Sequence, residues 1–196
     1  MAAPLCVQNA GKEKLKVCDA ELKSRRHLNF FQHEAYLTSR VPRVKCSQCG
    51  IRVVDVPWSR SGSGFTLLFE AMIMTLAKAM PVKTISSFVS EHDTKLWRIV
   101  HHYVDKGRSW ADYSQVQKVG FDETSSKRGY NYVSLFVNLE GPRVLFATEG
   151  KDSSTVERFK QDLIEHCIWA KNIDQMCCDM SPAFKRVSGN NSLTLS

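Results

Sequence analysis

The chain lacks a run of apolar residues long enough to cross a membrane. Its most apolar stretch, residues 65–80, is shorter than the roughly 20 residues that a membrane-spanning helix needs, and Glu70 and Lys78 interrupt it. A signal peptide is also missing, because the first four residues lead directly into polar and basic sequence. We therefore expect a globular protein of the cytoplasm with no membrane partner.

Disulfide bonds are not expected, although the chain has seven cysteines. A chain that is not exported stays in a reducing compartment, where metal binding or burial explains cysteines better. Cys167 lies on the apolar side of a helical pattern, and Cys177 and Cys178 lie in a strand-like run. These three are predicted to be core residues.

Cys46 and Cys49 form a Cys-x-x-Cys pair followed by glycine, the turn with which two thiolates bind one tetrahedral Zn²⁺. Such a site needs two further ligands, and the sequence offers no second pair at the usual spacing. Cys18 is the main candidate, with Cys6 and His27 as alternatives. A redox role for this pair is less supported than zinc binding, because no βαβ pattern surrounds it.

Positive charge is concentrated in the first part of the chain. The net charge is +7, and residues 1–60 hold 11 Lys and Arg against 5 Asp and Glu, whereas residues 111–196 hold 10 against 11. A basic first part predicts contact with a polyanion such as DNA. The alternative is that these charges only solvate the surface.

Periodicity and composition divide the chain into modules. A basic, cysteine-bearing module has a strand-turn-strand pattern through residues 28–44, and a Ser- and Gly-rich stretch at 57–64 is typical of a linker. A helical module and a strand-rich module follow. The predicted boundaries are 1–60, 65–110 and 115–187, with an unrelated flexible tail at 188–196.

The helical module has the pattern of a helix-turn-helix. Thr66 is predicted to cap a first helix that ends near Met80, and Pro81 fits the first turn of a second helix. Asp93 is a suitable N-cap for a third helix after a tight connection. An ordinary three-helix packing unit is the alternative, and the basic neighbouring module favours DNA binding.

The third helix is expected to read DNA, because the second helix of this motif places its N-terminal residues against base edges in the major groove. Leu96, Val100, Tyr103 and Val104 are predicted to face inward, as are Val82, Ile85, Phe88 and Val89 of the preceding helix. The residues predicted to contact DNA are Thr94, Lys95 and Arg98 on this helix, and Arg40, Arg43 and Lys45 on phosphates.

Asp122 and Asp179 each close a short, strand-like apolar run. Paired carboxylates at the ends of neighbouring strands bind Mg²⁺ for phosphoryl transfer on nucleic acid, although a single Asp at a strand end usually caps a turn. Between them lie two strand-like runs and a helix, for which Ser154 and Glu157 form a capping box. Three meandering strands, a helix and a fourth strand predict the opening of a ribonuclease-H-like fold.

These runs resemble the bacterial insertion-sequence transposases built from an N-terminal zinc ribbon, a helix-turn-helix and a DDE catalytic domain. The resemblance covers about residues 24–187. The runs that carry it are RHLNFFQHEAYL at 26–37, RVPRVKC at 40–46, VPW at 56–58, GFT at 64–66, GFDETS at 120–125 and DMSPAF at 179–184.

The resemblance implies that Asp122 and Asp179 are the first two catalytic carboxylates and ligands of Mg²⁺. It also implies that Cys46 and Cys49 form the second zinc knuckle, whereas the first knuckle is degraded, with Cys18 retained. The expected fold is multi-module α+β: a zinc-ribbon-like β module, a helix-turn-helix and an incomplete ribonuclease-H-like α/β domain. The third acid would follow residue 187, so we expect a C-terminally truncated protein.

Two functions of different classes follow from the resemblance. The first is a transposase fragment that binds the terminal repeats of its element as double-stranded DNA, in a bacterial cytoplasm at the nucleoid, and cuts DNA only when complete. The second is a catalytically inactive DNA-binding remnant that competes with transposition. A cysteine-rich interaction module is a third, weaker alternative, and whether the protein is a homo-oligomer stays open.

Overall fold

The computed structural model describes residues 16–46, 50–125, 132–141, 143–166 and 173–178. They divide into two compact units with the boundary between Asp105 and Lys106. No helix in these ranges is long and apolar enough to cross a membrane. In chain order, the described elements are β1 (Lys16–Arg26), β2 (Tyr36–Cys46), β3 (Gly50–Val53), α1 (Leu67–Ala77), α2 (Val82–Val89), α3 (Asp93–Ser109), β4 (Lys118–Ser125), β5 (Tyr132–Asn138), β6 (Arg143–Glu149), α4 (Ser153–Glu165) and β7 (Gln175–Cys178).

The first unit begins with an antiparallel sheet in the order β1-β2-β3. The predicted strand-turn-strand at 28–44 was wrong in its first half, because β1 ends before this range and residues 27–35 form the hairpin connection. Most side chains of β1 are exposed, so its sequence does not show the alternation of apolar and polar residues that marks a half-buried strand.

Three helices follow the sheet in the first unit. Thr66 caps α1 as predicted, since its side chain accepts a hydrogen bond from the Phe69 amide, although α1 ends at Ala77. Two other caps were misplaced by one residue. Pro81 precedes α2 as its N-cap, and Asp93 is the first residue of α3, because the Leu96 amide donates to the carbonyl of His92.

The three helices share an apolar core, and two predicted members of it are exposed. Phe88 is 70% exposed, because it lies off the side of α2 that Val82, Ile85 and Val89 already fill. Val104 is also exposed, and Ile99, which was not predicted, is buried. The buried core residues are Phe65, Phe69, Ile73, Val82, Ile85, Val89, Leu96 and Ile99.

The stretch at 57–64 is packed against the rest of the first unit, so its interpretation as a linker was wrong. Ser59 and Ser63 are buried. The Arg26 amide donates to the carbonyl of Gly64 at 2.9 Å, and the Thr66 amide donates to the carbonyl of Arg26 at 3.0 Å. Small Ser and Gly side chains permit this close approach, and their composition alone does not distinguish it from a flexible connection.

Glu70 is a fully buried carboxylate on α1 that joins three parts of the first unit. It accepts hydrogen bonds from Arg60 Nε at 2.9 and 3.0 Å, from the Ser63 hydroxyl and from the Tyr103 hydroxyl at 2.8 Å. Burial, followed by this bond to Glu70, raises the pKa of Tyr103 to about 12. The network fixes α1 and α3 to the 57–64 stretch.

We predict that Glu70→Ala destabilises the protein by about 3–5 kcal/mol, because it leaves Arg60 without its buried partner. The matched control is Glu21→Ala, which removes an exposed carboxylate paired with Lys23 and should change stability far less, because exposed ion pairs contribute little. Urea denaturation of the full chain measures both values. Equal effects of the two substitutions would contradict a structural role for the network.

The second unit contains a four-stranded sheet in the order β6-β5-β4-β7. β4, β5 and β6 pair antiparallel, and β7 pairs parallel to β4 after the crossover through α4. The hairpin predicted at 132–139 and 143–148 corresponds to β5 and β6. The core under this sheet consists of Tyr113, Val116, Val119, Phe121, Phe136, Leu145, Val156, Phe159, Leu163, Ile173 and Met176.

Two details of the second unit differ from the predictions. Asp152 caps α4 by accepting a hydrogen bond from the Ser154 amide at 3.0 Å, so the capping box at Ser154 was placed too late. Ile164 and Cys177 are exposed rather than buried. The predictions for Cys167 and for the Cys178 side chain lie outside the described residues.

Candidate nucleic-acid interface and carboxylate site

A defined turn joins α2 and α3. Ser90 has a left-handed backbone with φ 56° and ends α2, and its amide donates to the carbonyl of Ser86. The Glu91 amide donates to the same carbonyl at 3.2 Å, and the Ser86 hydroxyl donates to the carbonyl of Glu91 at 2.6 Å. These bonds fix the chain direction between the helices, as a helix-turn-helix requires.

The start of α3 presents a polar surface. Thr94, Lys95 and Arg98 are exposed as predicted. An aromatic side chain that the sequence had not singled out for DNA contact also lies there: Trp97 is 46% exposed, and its ring centroid is 5.6 Å from that of His101. Spacings of three and four residues place aromatic and basic groups side by side on this helix.

The two cations near the start of this helix differ in their partners. Lys95 Nζ lies 2.8 Å from a Glu91 carboxylate oxygen, and this hydrogen bond raises the pKa of Lys95. Arg98 has no hydrogen bond or ion pair to any described residue. Of these two cations, Arg98 is therefore the one whose charge is available to an external anion.

A cleft of about 360 Å³ opens beside this helix within the first unit. Its charged lining includes four cations and one acid, and the glycine-containing loop at 62–64 forms another part of its wall. The charged side chains are Arg26, Arg60, Glu91, Lys95 and Arg98. Arg60 and Lys95 are paired with Glu70 and Glu91 and Arg26 is buried, so the charge that this cleft offers to a phosphate backbone comes mainly from Arg98.

The predicted phosphate contacts on β2 are not equivalent. Arg43 donates two hydrogen bonds to the Asp19 carboxylate, which lies directly opposite on β1, and these bonds lower the pKa of Asp19. Arg40 and Lys45 are exposed without a polar partner among the described residues, and Lys45 lies directly opposite Lys16. Among the three predicted phosphate contacts, Arg40 and Lys45 therefore offer free positive charge and Arg43 does not.

The predicted zinc ligands are described only in part. Cys46 is buried at the end of β2 and is disulfide-bonded, so the expectation of no disulfide bonds was wrong at this residue, whereas Cys18 on β1 is exposed and free. Gly50, which pairs with Cys46 across the turn, has φ 71°, a conformation suited to a tight knuckle. Cys49 lies outside the described residues, and no group of three metal-binding side chains occurs within them.

Asp122 lies on β4 next to the parallel strand β7. Its side chain is exposed, and one carboxylate oxygen accepts a hydrogen bond from the Glu123 amide at 2.8 Å. The last described pair between the two strands is Phe121 with Cys178, after which the sequence continues with Asp122 and Asp179. Asp179 itself lies outside the described residues.

The second acid on β4 is in a different environment. Glu123 is partly buried, and one of its carboxylate oxygens is buried without a hydrogen-bond partner. Because side chains alternate along a strand, Glu123 faces the opposite side of the sheet from Asp122. Glu123 is thus not a second ligand on the side of Asp122.

The fold and its surfaces define a protein with a helix-turn-helix and a strand-borne carboxylate. Residues 54–104 match the helix-turn-helix domain of transposase family ISL3, and residues 119–191 match the ISL3-type transposase domain. Two regions of the chain are therefore similar to the helix-turn-helix and transposase domains of the ISL3 family.

The relatives that the chain matches are transposases for an insertion sequence. The chain is 32% identical over 147 residues to the transposases for insertion sequence element IS1557 of two Mycobacterium tuberculosis strains, CDC 1551 / Oshkosh and ATCC 25618 / H37Rv. The match covers 71% of this chain but 32% of each relative, so the chain spans about a third of their length. No solved structure matches the chain.

We predict that Arg98→Ala weakens duplex DNA binding and lowers the slope of log affinity against log salt by about 1, because one phosphate contact is lost. The matched control is Arg43→Ala, which should leave the slope unchanged, since Asp19 already neutralises this cation. Fluorescence anisotropy of the full chain over a salt series measures both slopes. The reverse order of effects would contradict this assignment.

Proposed function

We propose that the chain acts in transposition of a bacterial insertion sequence: its first unit binds duplex DNA at the element ends, and its second unit contributes carboxylates for strand cleavage and transfer. The observation that carries the DNA-binding part is the helix-turn-helix with an unpaired Arg98 at the start of α3, beside the basic cleft. The named relatives, which are transposases for an insertion sequence, support the cellular role.

DNA recognition divides between the two parts of the first unit. Thr94 reaches base edges from α3, Arg98 contacts a phosphate beside them, and Trp97 offers an apolar surface to thymine methyl groups. Arg40 and Lys45 contact phosphates from β2, which fixes the position of the protein on the duplex without reading sequence. Lys95 contributes less, because Glu91 holds its charge.

The catalytic part of the proposal depends on Asp122 and Asp179. The strand order β6-β5-β4-β7, with α4 before the parallel strand β7, supports a ribonuclease-H-like domain, and in the sequence each aspartate comes directly after the last described pair between β4 and β7. Asp122 fits a Mg²⁺ ligand, because it is exposed and has no cationic partner among the described residues. Bound Mg²⁺ would stabilise the leaving oxygen and activate the attacking one.

A second candidate function is a DNA-binding protein that does not cut. This function is favoured because the site as assigned has two acids, Asp122 and Asp179. Glu123 does not supply a third, since it faces the other side of the sheet. Two-metal phosphoryl transfer needs both ions held in line with the reacting groups, and small misplacements are costly. In this case the protein would occupy element ends and compete with an active transposase.

We predict that the purified chain binds duplexes carrying its element ends but does not cleave them with Mg²⁺ or Mn²⁺. Denaturing gel electrophoresis of end-labelled duplex measures cleavage, and Asp122→Ala is the matched control. Cleavage by the unmodified chain that Asp122→Ala abolishes would establish an enzyme with a complete site. Cleavage that survives in Asp122→Ala would indicate a contaminating nuclease.

The proposal includes a structural zinc bound by the reduced protein. Cys46 at the end of β2 and Cys49 would supply two thiolates, and the turn at Gly50 has the conformation of a knuckle. Cys18, on the strand adjacent to β2, is the candidate for a third ligand. The ion would stabilise the connection from β2 to β3, a strand whose side chains are mostly exposed.

We predict about one zinc per chain under reducing conditions, lost in the double variant Cys46→Ser, Cys49→Ser. The variant should also unfold at lower temperature, because the binding energy of a structural zinc contributes to folding. Metal analysis and thermal denaturation measure the two effects. Cys177→Ser, which replaces an exposed cysteine of the second unit, serves as the control, and a metal-free chain with unchanged stability would contradict the zinc site.

A further inference from the structure

Two aromatic rings project from the tip of the hairpin between β1 and β2. Phe30 is 70% exposed and Phe31 is 80% exposed. Their ring centroids are 4.7 Å apart at an interplanar angle of 73°, so the rings form one edge-to-face unit. Exposed phenyl rings at a hairpin tip add nothing to the core of this unit, which leaves their apolar surface available to a partner.

The backbone holds this tip in a specific shape. The Phe30 amide donates to the carbonyl of His33 at 2.9 Å, and the His33 amide donates back to Phe30 at 3.1 Å. Phe31 has φ 53°, a region that bulky side chains rarely adopt. Such outliers cluster at functional positions, where the surrounding structure fixes them.

The base of the hairpin is fixed to the helix-turn-helix. The Arg26 guanidinium, 2% exposed, donates to Asn29 Oδ1 at 2.7 Å and to the carbonyl of Val89 at 3.4 Å. His27 is hydrogen-bonded to the hydroxyl of Thr66, the N-cap of α1, at 2.8 Å. The aromatic tip and the reading helix are therefore parts of one packed unit and would approach the same ligand together.

Charge indicates which ligand this would be. Between residues 16 and 60 the chain has nine Lys and Arg against four Asp and Glu. The acid nearest the tip in sequence, Glu34, accepts a hydrogen bond from Tyr36 at 2.9 Å and lies 3.8 Å from Arg26. An apolar tip on a basic, DNA-facing unit matches the wedges that minor-groove proteins insert between base steps.

We propose that Phe30 and Phe31 form an aromatic wedge that enters duplex DNA and unstacks one base step while α3 occupies the major groove. This inference rests on the proposed DNA binding of the first unit. It goes beyond that function, because the hairpin between β1 and β2 would deform the duplex, whereas α3 would read base edges. Phe31, at the tip, would make the deeper contact.

The test uses the full chain and a duplex that it selects from a random pool. A 2-aminopurine base is placed at successive steps, since its fluorescence rises when it loses stacking. With the unmodified protein, we expect the fluorescence to rise at one base step. The double variant Phe30→Ala, Phe31→Ala should lose this rise. It should also bind the duplex about tenfold more weakly, because the stacking of one aromatic ring on a base contributes about this factor to affinity. A mismatch at this step, which unstacks it in advance, should restore part of the affinity.

Two further variants separate the wedge from folding defects. Phe31→Gly removes the ring but suits a positive φ, so it should fold normally and lose most of the fluorescence rise. Phe88→Ala removes an equally exposed phenyl ring of the same unit and should behave as the unmodified chain. Circular dichroism verifies that each variant is folded.

The outcomes distinguish the inference from the function on which it rests. If the unmodified chain binds no duplex, the proposed function is wrong, and the wedge with it. If it binds and the double variant gives the same fluorescence and affinity, the wedge alone is wrong. If the double variant instead loses self-association in sedimentation, the tip is a contact between copies of the chain, which also overturns the wedge.

Discussion

The Arg26 guanidinium lies out of solvent between the sheet and the helices of the first unit, and several contacts converge on it. It lies 5.5 Å from the Phe69 ring centroid, donates to the carbonyl at the end of α2 and lies 3.8 Å from Glu91. A buried cation is stable only where such partners surround it. Its position therefore fixes the aromatic hairpin and the turn before α3 relative to each other.

Local chemistry made the helices of this unit the most predictable part of the chain. Thr66 caps α1 because its hydroxyl satisfies a free amide, and this can be read from sequence. Misplacements of one or two residues at Asp93 and Ser154 arose because His92 and Asp152 accept the first amides of the helix, whereas Pro81 was misplaced because its own carbonyl accepts them. The exposure of Thr94, Lys95 and Arg98 was predictable because their positions on α3 follow from the helical period.

The features that the sequence did not predict depend on contacts between residues that are far apart along the chain. The partners of Arg43 and of Glu70 are far away along the chain, and nothing in the local pattern indicates them. For the same reason the 57–64 stretch was interpreted as a linker, although long-range hydrogen bonds pack it. The exposed pair at Phe30 and Phe31 also had no sequence signal, since apolar runs of this length are ordinary core material.

Charge partnership separates structural from functional groups in both units. Glu70 is buried and bonded on all sides, and Asp162 pairs with Arg108, so these charges hold elements together. Arg98, Lys45 and Asp122 are exposed, and none of them has an oppositely charged partner among the described residues. An exposed charge without an internal partner is available to attract an external ion. Under the proposed function, Arg98 and Lys45 of the first unit would therefore meet DNA, and Asp122 of the second unit would meet a cation.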